Sequence, residues 1–124
     1  MNWHEAMYII QAHIRPGTNL NTAGSNYRIV RSTEALINSN RYGYKNDRGF
    51  IVPIGKSATV SIPWQLLEHC FMALTSSGGF GGSFFREHYP LQAKDHYCHF
   101  HVIGQIFVVS GLARFDNGRY TLKK

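Results

Sequence analysis

The order of apolar and glycine-rich segments in the second half of the chain constrains its fold most strongly. In chain order, these segments are a helix-like run over 66–74, a glycine-rich break at 77–82, a short helix-like piece over 83–89 that stops at Pro90, and a long apolar run over 98–112. The final segment, 113–122, predicts a β-hairpin, because Asn117 and Gly118 at its centre tolerate the positive φ of a tight turn. We therefore predict three helices followed by a hairpin.

The long apolar run is compatible with either a helix or a strand. Cys98, Val102, Ile106 and Val109 lie at helical spacing, whereas the β-branched residues among them also suit a strand. Gly111 stands where the C-terminal cap of a helix belongs, which favours the helix. Such a helix would carry few polar side chains, namely His99, His101, Gln105 and, at its end, Ser110.

The first half of the chain predicts one helix and a small antiparallel sheet. Residues 3–14 place their apolar side chains on one helical stripe, which Pro16 ends. Two β-rich runs, 50–54 and 59–62, are joined by a short polar turn, as in a hairpin. The other expectations are a polar linker over 18–26, a strand over 27–31, a helix or strand over 32–38, and a turn-rich stretch over 39–49.

Two prolines refine this description. Pro53 lacks the N–H that the hydrogen-bond ladder of a central strand requires, so we predict that its strand is not central. Pro63 suits the first position of the following helix, where an N–H has no partner. It also marks the expected boundary between a lobe over 1–62 and a lobe over 63–124, with one compact domain as the alternative.

Three helices followed by a hairpin with basic ends, over roughly 63–124, resemble the winged-helix superfamily. They are more distantly similar to the DNA-recognition lobes of restriction-type nucleases. The resemblance implies that the third helix enters the major groove and that the hairpin, or wing, touches the DNA backbone. The chain departs from the family pattern because that helix lacks the Arg, Lys or Asn side chains of a typical groove reader. The predicted fold class is therefore α+β, with an N-terminal helix, a small antiparallel sheet and a winged-helix-like C-terminal half.

The charge of the chain suits a polyanionic partner. The net charge is +6, and it is concentrated between Arg28 and Lys56, with six cations against two acids, and from Arg114 onward, with four against one. Between Arg41 and Gly49 the cations alternate with tyrosines, and these residue types neutralise phosphates and stack on bases. The predicted nucleic-acid-binding residues are Arg41, Tyr42, Tyr44, Lys45, Arg48, His99, His101, Gln105, Arg114, Arg119 and Lys123.

Patterns for catalysis or metal binding are weak. Zinc prefers the donor types found in His96, Cys98, His99 and His101. However, neither a paired-cysteine knuckle nor an H-E-x-x-H motif accompanies them. The carboxylates are scattered, whereas a magnesium-dependent nuclease needs them clustered. We therefore expect no catalytic residues, no metal site and no cofactor.

The leading functional hypothesis is non-enzymatic binding of double-stranded DNA through phosphate contacts. The first alternative is a protein-interaction or oligomerisation module, either a homodimer or a complex with another protein, anchored by Phe80, Phe84, Phe85 and the third helix. The second alternative is a metal-dependent nuclease that uses the histidine–cysteine segment. We expect no membrane partner, because no apolar run approaches the ~20 residues of a membrane span. Two cysteines without a disulfide framework and an N-terminus unlike a secretory signal favour the cytoplasm.

Overall fold

The computed structural model describes residues 1–20 and 28–123, which form five helices and two small antiparallel sheets, so the predicted α+β class is confirmed. The helices are α1 (Trp3–His13), α2 (Trp64–Ser76), α3 (Gly82–His88), α4 (Pro90–Asp95) and α5 (Cys98–Val109). The strands are β1 (Ser32–Ser39), β2 (Tyr44–Pro53), β3 (Thr59–Pro63), β4 (Phe80–Gly81), β5 (Ala113–Asp116) and β6 (Arg119–Leu122). The first sheet has the strand order β1-β2-β3 and the second has the order β4-β6-β5. Most of the predicted linker, Tyr27 at the start of the predicted 27–31 strand, and Lys124 lie outside the described residues.

Helix α1 confirms the predicted N-terminal helix and begins with a capping box. The side chain of Asn2 accepts a hydrogen bond from the backbone N–H of Glu5 at 2.9 Å, and the carboxylate of Glu5 accepts one from the backbone N–H of Asn2 at 3.2 Å. The buried residue Ile10 anchors the helix to the core. Trp3 contacts Trp64 edge to face, with 6.1 Å between the ring centroids, and thereby joins α1 to the start of α2.

The first sheet contains the predicted hairpin but extends further than expected. The stretch 32–38 is a strand rather than a helix, and β2 already begins at Tyr44, so the turn is confined to residues 40–43. The predicted non-central position of the Pro53 strand is wrong, because β2 lies between β1 and β3. The last pair between β1 and β2 joins Ser32 and Ile51. Pro53 lies beyond that pair and has a strand neighbour on one side only.

The second half confirms the predicted three helices and hairpin and adds two elements that we did not predict. The apolar run over 98–112 is helical over most of its length, as α5. The glycine-rich break is not a simple connection, because it contains β4, in which Phe80 pairs with Tyr120 of β6. Pro90 does not only end α3: it also begins α4, because proline is well suited to the first turn of a helix. Pro63, in turn, is the residue before α2 rather than its first helical residue.

The turn of the β5–β6 hairpin is formed by the residues that predicted it. Asn117 has a φ of 51° and Gly118 a φ of 76°, as a type I′ turn requires. Phe115 lies opposite Tyr120 in the ladder, so these two side chains share one face of the second sheet. Arg114 and Arg119 stand on the other face, because neighbouring residues of a strand point to opposite sides.

A single cluster of buried side chains draws from both halves of the chain. Its centre is Tyr120, whose fully buried ring stacks on Phe80 and meets Phe100 edge to face. Gly104 of α5 faces that ring, and a Cβ atom at this position would overlap it. The missing side chain therefore lets α5 lie directly against the second sheet.

Candidate nucleic-acid interface

Helix α5, the predicted groove-reading helix, lies inside the protein. Each of its residues from Cys98 to Val109 is buried or half-buried. The helix contacts α1, α4, β3 and β5, and thus elements of both halves of the chain. A helix without a fully exposed residue offers little surface to a DNA groove.

The three predicted base readers direct their polar atoms into the protein. His99 is only 2% exposed, burial lowers its pKa, and its Nδ1 bonds the backbone carbonyl of His96 at 2.7 Å. His101 Nδ1 and Gln105 Nε2 both lie within hydrogen-bonding distance of the Tyr120 hydroxyl, at 2.9 and 3.3 Å. The predicted base-reading role of His99 is wrong, because its imidazole is not accessible. The side chains of His101 and Gln105 hydrogen-bond to Tyr120 instead. Their spacing in the sequence does not indicate this partner.

The turn between β1 and β2 is tied to α4 rather than free on the surface. Arg41 donates two hydrogen bonds to the carboxylate of Asp95, from Nε at 2.5 Å and from Nη2 at 2.8 Å. The Tyr42 hydroxyl donates to the same carboxylate at 2.6 Å. Tyr44 is buried, and its hydroxyl accepts a hydrogen bond from Gln92 at 2.6 Å. These contacts correct two predictions. Arg41 is not a free phosphate ligand, because Asp95 neutralises its charge. Tyr44 is not available to stack on a base, because its ring is buried.

We expect the Asp95 contacts to stabilise the protein only above strongly acidic pH. The bonds from Arg41 and Tyr42 lower the pKa of Asp95 from 3.8 to about 2. A carboxylate with a depressed pKa contributes its stability above the unfolded-state value, and that contribution is lost as the pH falls through the folded-state value. The urea midpoint of the natural protein should therefore exceed that of Asp95→Asn at pH 6, and the gap should close between about pH 4 and pH 2. A gap that stays constant with pH would show that charge on Asp95 is unimportant.

The remaining predicted cations are exposed, and none of them forms an ion pair within the described residues. In residues 1–20 and 28–123, Arg41 and Asp95 form the one ion pair. Lys45 and Arg48 are exposed side chains of β2, although Arg48 Nη1 also donates to the backbone carbonyl of Glu34 at 3.3 Å. The exposed cations of the second sheet and its C-terminal extension are Arg114, Arg119 and Lys123.

The face of the second sheet that points away from α5 is basic and open. It carries Arg114, Asp116 and Arg119, with the acid directly opposite Arg119 in the ladder. Gly81 of β4 is the other ladder neighbour of Arg119, and a Cβ at Gly81 would lie 3.2 Å from Arg119 Cγ. The absence of a side chain there lets the stem of Arg119 pack against the backbone of β4, which is buried at this residue.

Sequence reasoning missed two exposed cations, Arg86 on α3 and Lys94 on α4. Both line a surface cleft of about 450 Å³ together with Tyr97. Each stands singly in the sequence, so no local charge run singled it out. Only the packing of the two short helices brings them together.

The structure gives little support to the two alternative hypotheses, the metal-dependent nuclease and the protein-interaction module. Within the described residues, no three His, Cys, Asp or Glu side chains are close enough to hold a metal ion, so the nuclease hypothesis has no donor set there. The predicted interaction anchors Phe80 and Phe85 are fully buried, and Phe84 is half-buried and stacks on His88. These phenylalanines pack inside the protein because α3 lies against α5 and the second sheet.

We call the face of the second sheet that points away from α5 its outer face. It is the main site at which predicted binding residues, Arg114 and Arg119, are exposed on the same side of a sheet. None of the helices in the described part of the chain is long and apolar enough to cross a membrane. Comparisons with protein-family models, with curated proteins and with solved structures find no match to this chain.

Proposed function

We propose that this protein binds double-stranded DNA without catalysis, chiefly through contacts to phosphates. The observation that carries the proposal is the set of exposed cations that lack acidic partners in the described residues. Cations left unpaired on a protein surface attract a polyanion and gain free energy when its condensed counterions are released. Base reading by α5 is not part of the proposal, because that helix is enclosed.

The order of elements in the second half of the chain also supports this function. Helix α2, strand β4, helices α3, α4 and α5 and the β5–β6 hairpin follow one another, with the sheet order β4-β6-β5. The sequence resemblance to the winged-helix superfamily, in which the hairpin touches the DNA backbone, supports the proposal. The basic outer face of the hairpin, with Arg114 and Arg119, is suited to that contact.

A binding titration at two salt concentrations tests the proposal. If about four cations contact phosphates, log K should fall with log salt at a slope of about −3.6, or on the order of a hundredfold between about 50 and 200 mM salt. Duplex DNA should bind more tightly than a single strand of the same sequence, since a duplex carries charge more densely along its axis. A flat salt response, or no complex with duplex DNA at low salt, would refute DNA binding. Equal or tighter binding of the single strand would refute the choice of duplex.

A further inference from the structure

We infer that the DNA phosphates are bound by a composite site, the α3–β6 site, made of Arg86, Lys94, Tyr97, Arg119 and the two glycines between them, Gly81 and Gly82. The inference rests on the proposed function and specifies where on the surface it is performed. The principal contact with DNA would therefore lie neither on α5 nor on the first sheet. Two of its three cations come from helices that the sequence did not connect with binding.

Arg86 is oriented by an uncharged partner. Its Nη1 donates to the Tyr97 hydroxyl at 3.0 Å, and its guanidinium carbon lies 5.6 Å from the centre of the Tyr97 ring. A guanidinium has five N–H donors, and this contact uses one of them. Its neighbour Glu87 belongs to the same helix but points elsewhere, because adjacent helical residues do not face each other. Arg86 therefore keeps its full charge and most of its donors while its position is restricted.

Gly82 allows this arrangement to form. A Cβ atom at Gly82 would overlap the Tyr97 hydroxyl and would lie 3.2 Å from Arg86 Nη1. The pair thus occupies the space that a side chain would fill. Gly82 therefore lets Tyr97 and Arg86 lie directly against the backbone at the start of α3.

Arg86 and Arg119 lie on either side of two consecutive glycines. Arg119 lies beside Gly81, and Arg86 lies beside Gly82. Consecutive Cα atoms are about 3.8 Å apart, so the stem of Arg119 and the guanidinium of Arg86 pack against neighbouring residues of the backbone. Bidentate donors of this kind match phosphate geometry better than ammonium groups do.

Lys94 and the hairpin extend the site beyond a single anion. Lys94 lies across the cleft of about 450 Å³ that Arg86 and Tyr97 line. In the opposite direction the outer face of the second sheet continues past Asp116, the acid opposite Arg119, to Arg114. A line of cations along an open surface suits a chain of phosphates rather than one small anion, and the phosphodiester backbone of DNA has that form.

The test compares pairs of substitutions that remove the same charge. In the full chain, Arg86→Gln with Arg119→Gln should weaken duplex binding by on the order of a hundredfold and reduce the magnitude of the salt slope by about 2. Arg15→Gln with Lys56→Gln removes two exposed cations outside the site and should change binding by less than about threefold. If the natural protein binds duplex DNA but the two pairs are equivalent, the α3–β6 site is wrong while the proposed function stands. A larger loss from Lys45→Gln with Arg48→Gln would also overturn the site and would place the phosphates on the first sheet.

Two neutral substitutions test the geometry independently of charge. Gly82→Ala should displace Tyr97 and Arg86 and weaken duplex binding by on the order of tenfold, although no charge is lost. Tyr97→Phe removes the acceptor of the Arg86 hydrogen bond, is tolerated at a half-exposed position, and should weaken binding severalfold. Unchanged affinity in both variants, with unfolding transitions like that of the natural protein, would overturn the built site. Sedimentation with phosphatidylserine vesicles, in the absence of any duplex binding, would assign the cations to a lipid surface and overturn both this inference and the proposed function.

Discussion

Replacement of Tyr120 by alanine is expected to lower the free energy of unfolding by about 3–5 kcal/mol, the range for removal of a fully buried aromatic ring. The ring is 0% exposed and fills the space between the second sheet and Gly104 of α5. It also contacts Phe80 and Phe100, with centroid distances of 5.6 and 5.4 Å. Its removal would leave a cavity between two layers of the core, and urea unfolding followed by circular dichroism measures the loss.

The matched control is Tyr120→Phe, which keeps the ring and removes only the hydroxyl. That hydroxyl bonds His101 and Gln105, and a second polar atom of Gln105, Oε1, is already buried without a partner. We expect a loss of about 1–2 kcal/mol, since two polar side chains would lose their partner. If the phenylalanine variant lost as much stability as the alanine variant, the hydrogen bonds and not the ring would hold this part of the core.

Gly49→Ala is expected to destabilise the protein by about 3 kcal/mol or more. Gly49 lies in the central strand β2, where it pairs with Ala35 of β1 and with Pro63 of β3. A Cβ atom there would overlap the backbone carbonyl of Ile62 and the Cα of Pro63. Backbone atoms cannot rotate out of the way as a side chain can, so β2 and β3 would have to separate at the start of α2. The expected loss lies at or above the upper end of the usual range for overpacking.

Gly55→Ala provides the control for this substitution. Gly55 lies in the loop between β2 and β3, and nothing lies within 4 Å of the position of an added Cβ. Alanine should be neutral there or stabilise by up to about 1 kcal/mol, because it restricts the unfolded chain. Thermal unfolding of the two variants in parallel separates steric overlap from the general effect of losing a glycine. Equal stability of both variants would contradict the close approach of β2 and β3 at Gly49.

Local signals explain why most elements of the second half were predictable. The β5–β6 hairpin followed from Asn117 and Gly118, two adjacent residues that adopt the positive φ of the turn. Helix α5 followed from apolar spacing and from the glycine after its end. Strand β4 was missed because it has only two residues, and its pairing with β6 depends on a partner about forty residues away along the chain.

The candidate site was less predictable, because binding depends on which side chains remain exposed and unpaired. Arg41 is an exposed cation in the sequence pattern, yet its partner Asp95 is 54 residues away. The sequence pattern placed His99 on the polar side of a helix, yet the elements packed around α5 bury it. Arg86 and Arg119 looked unrelated, yet the pairing of β4 with β6 places them beside neighbouring glycines.

The sequence by itself determined the fold class, the positions of most helices and the hairpin, and the excess of positive charge. These properties depend on residues within a few positions of each other, through periodicity, capping and turn conformation. Only the tertiary structure decided that α5 is enclosed and which cations are free. Burial and ion pairing depend on contacts between segments that are distant in the sequence. The spacing of residues along the chain does not predict which of these segments come into contact.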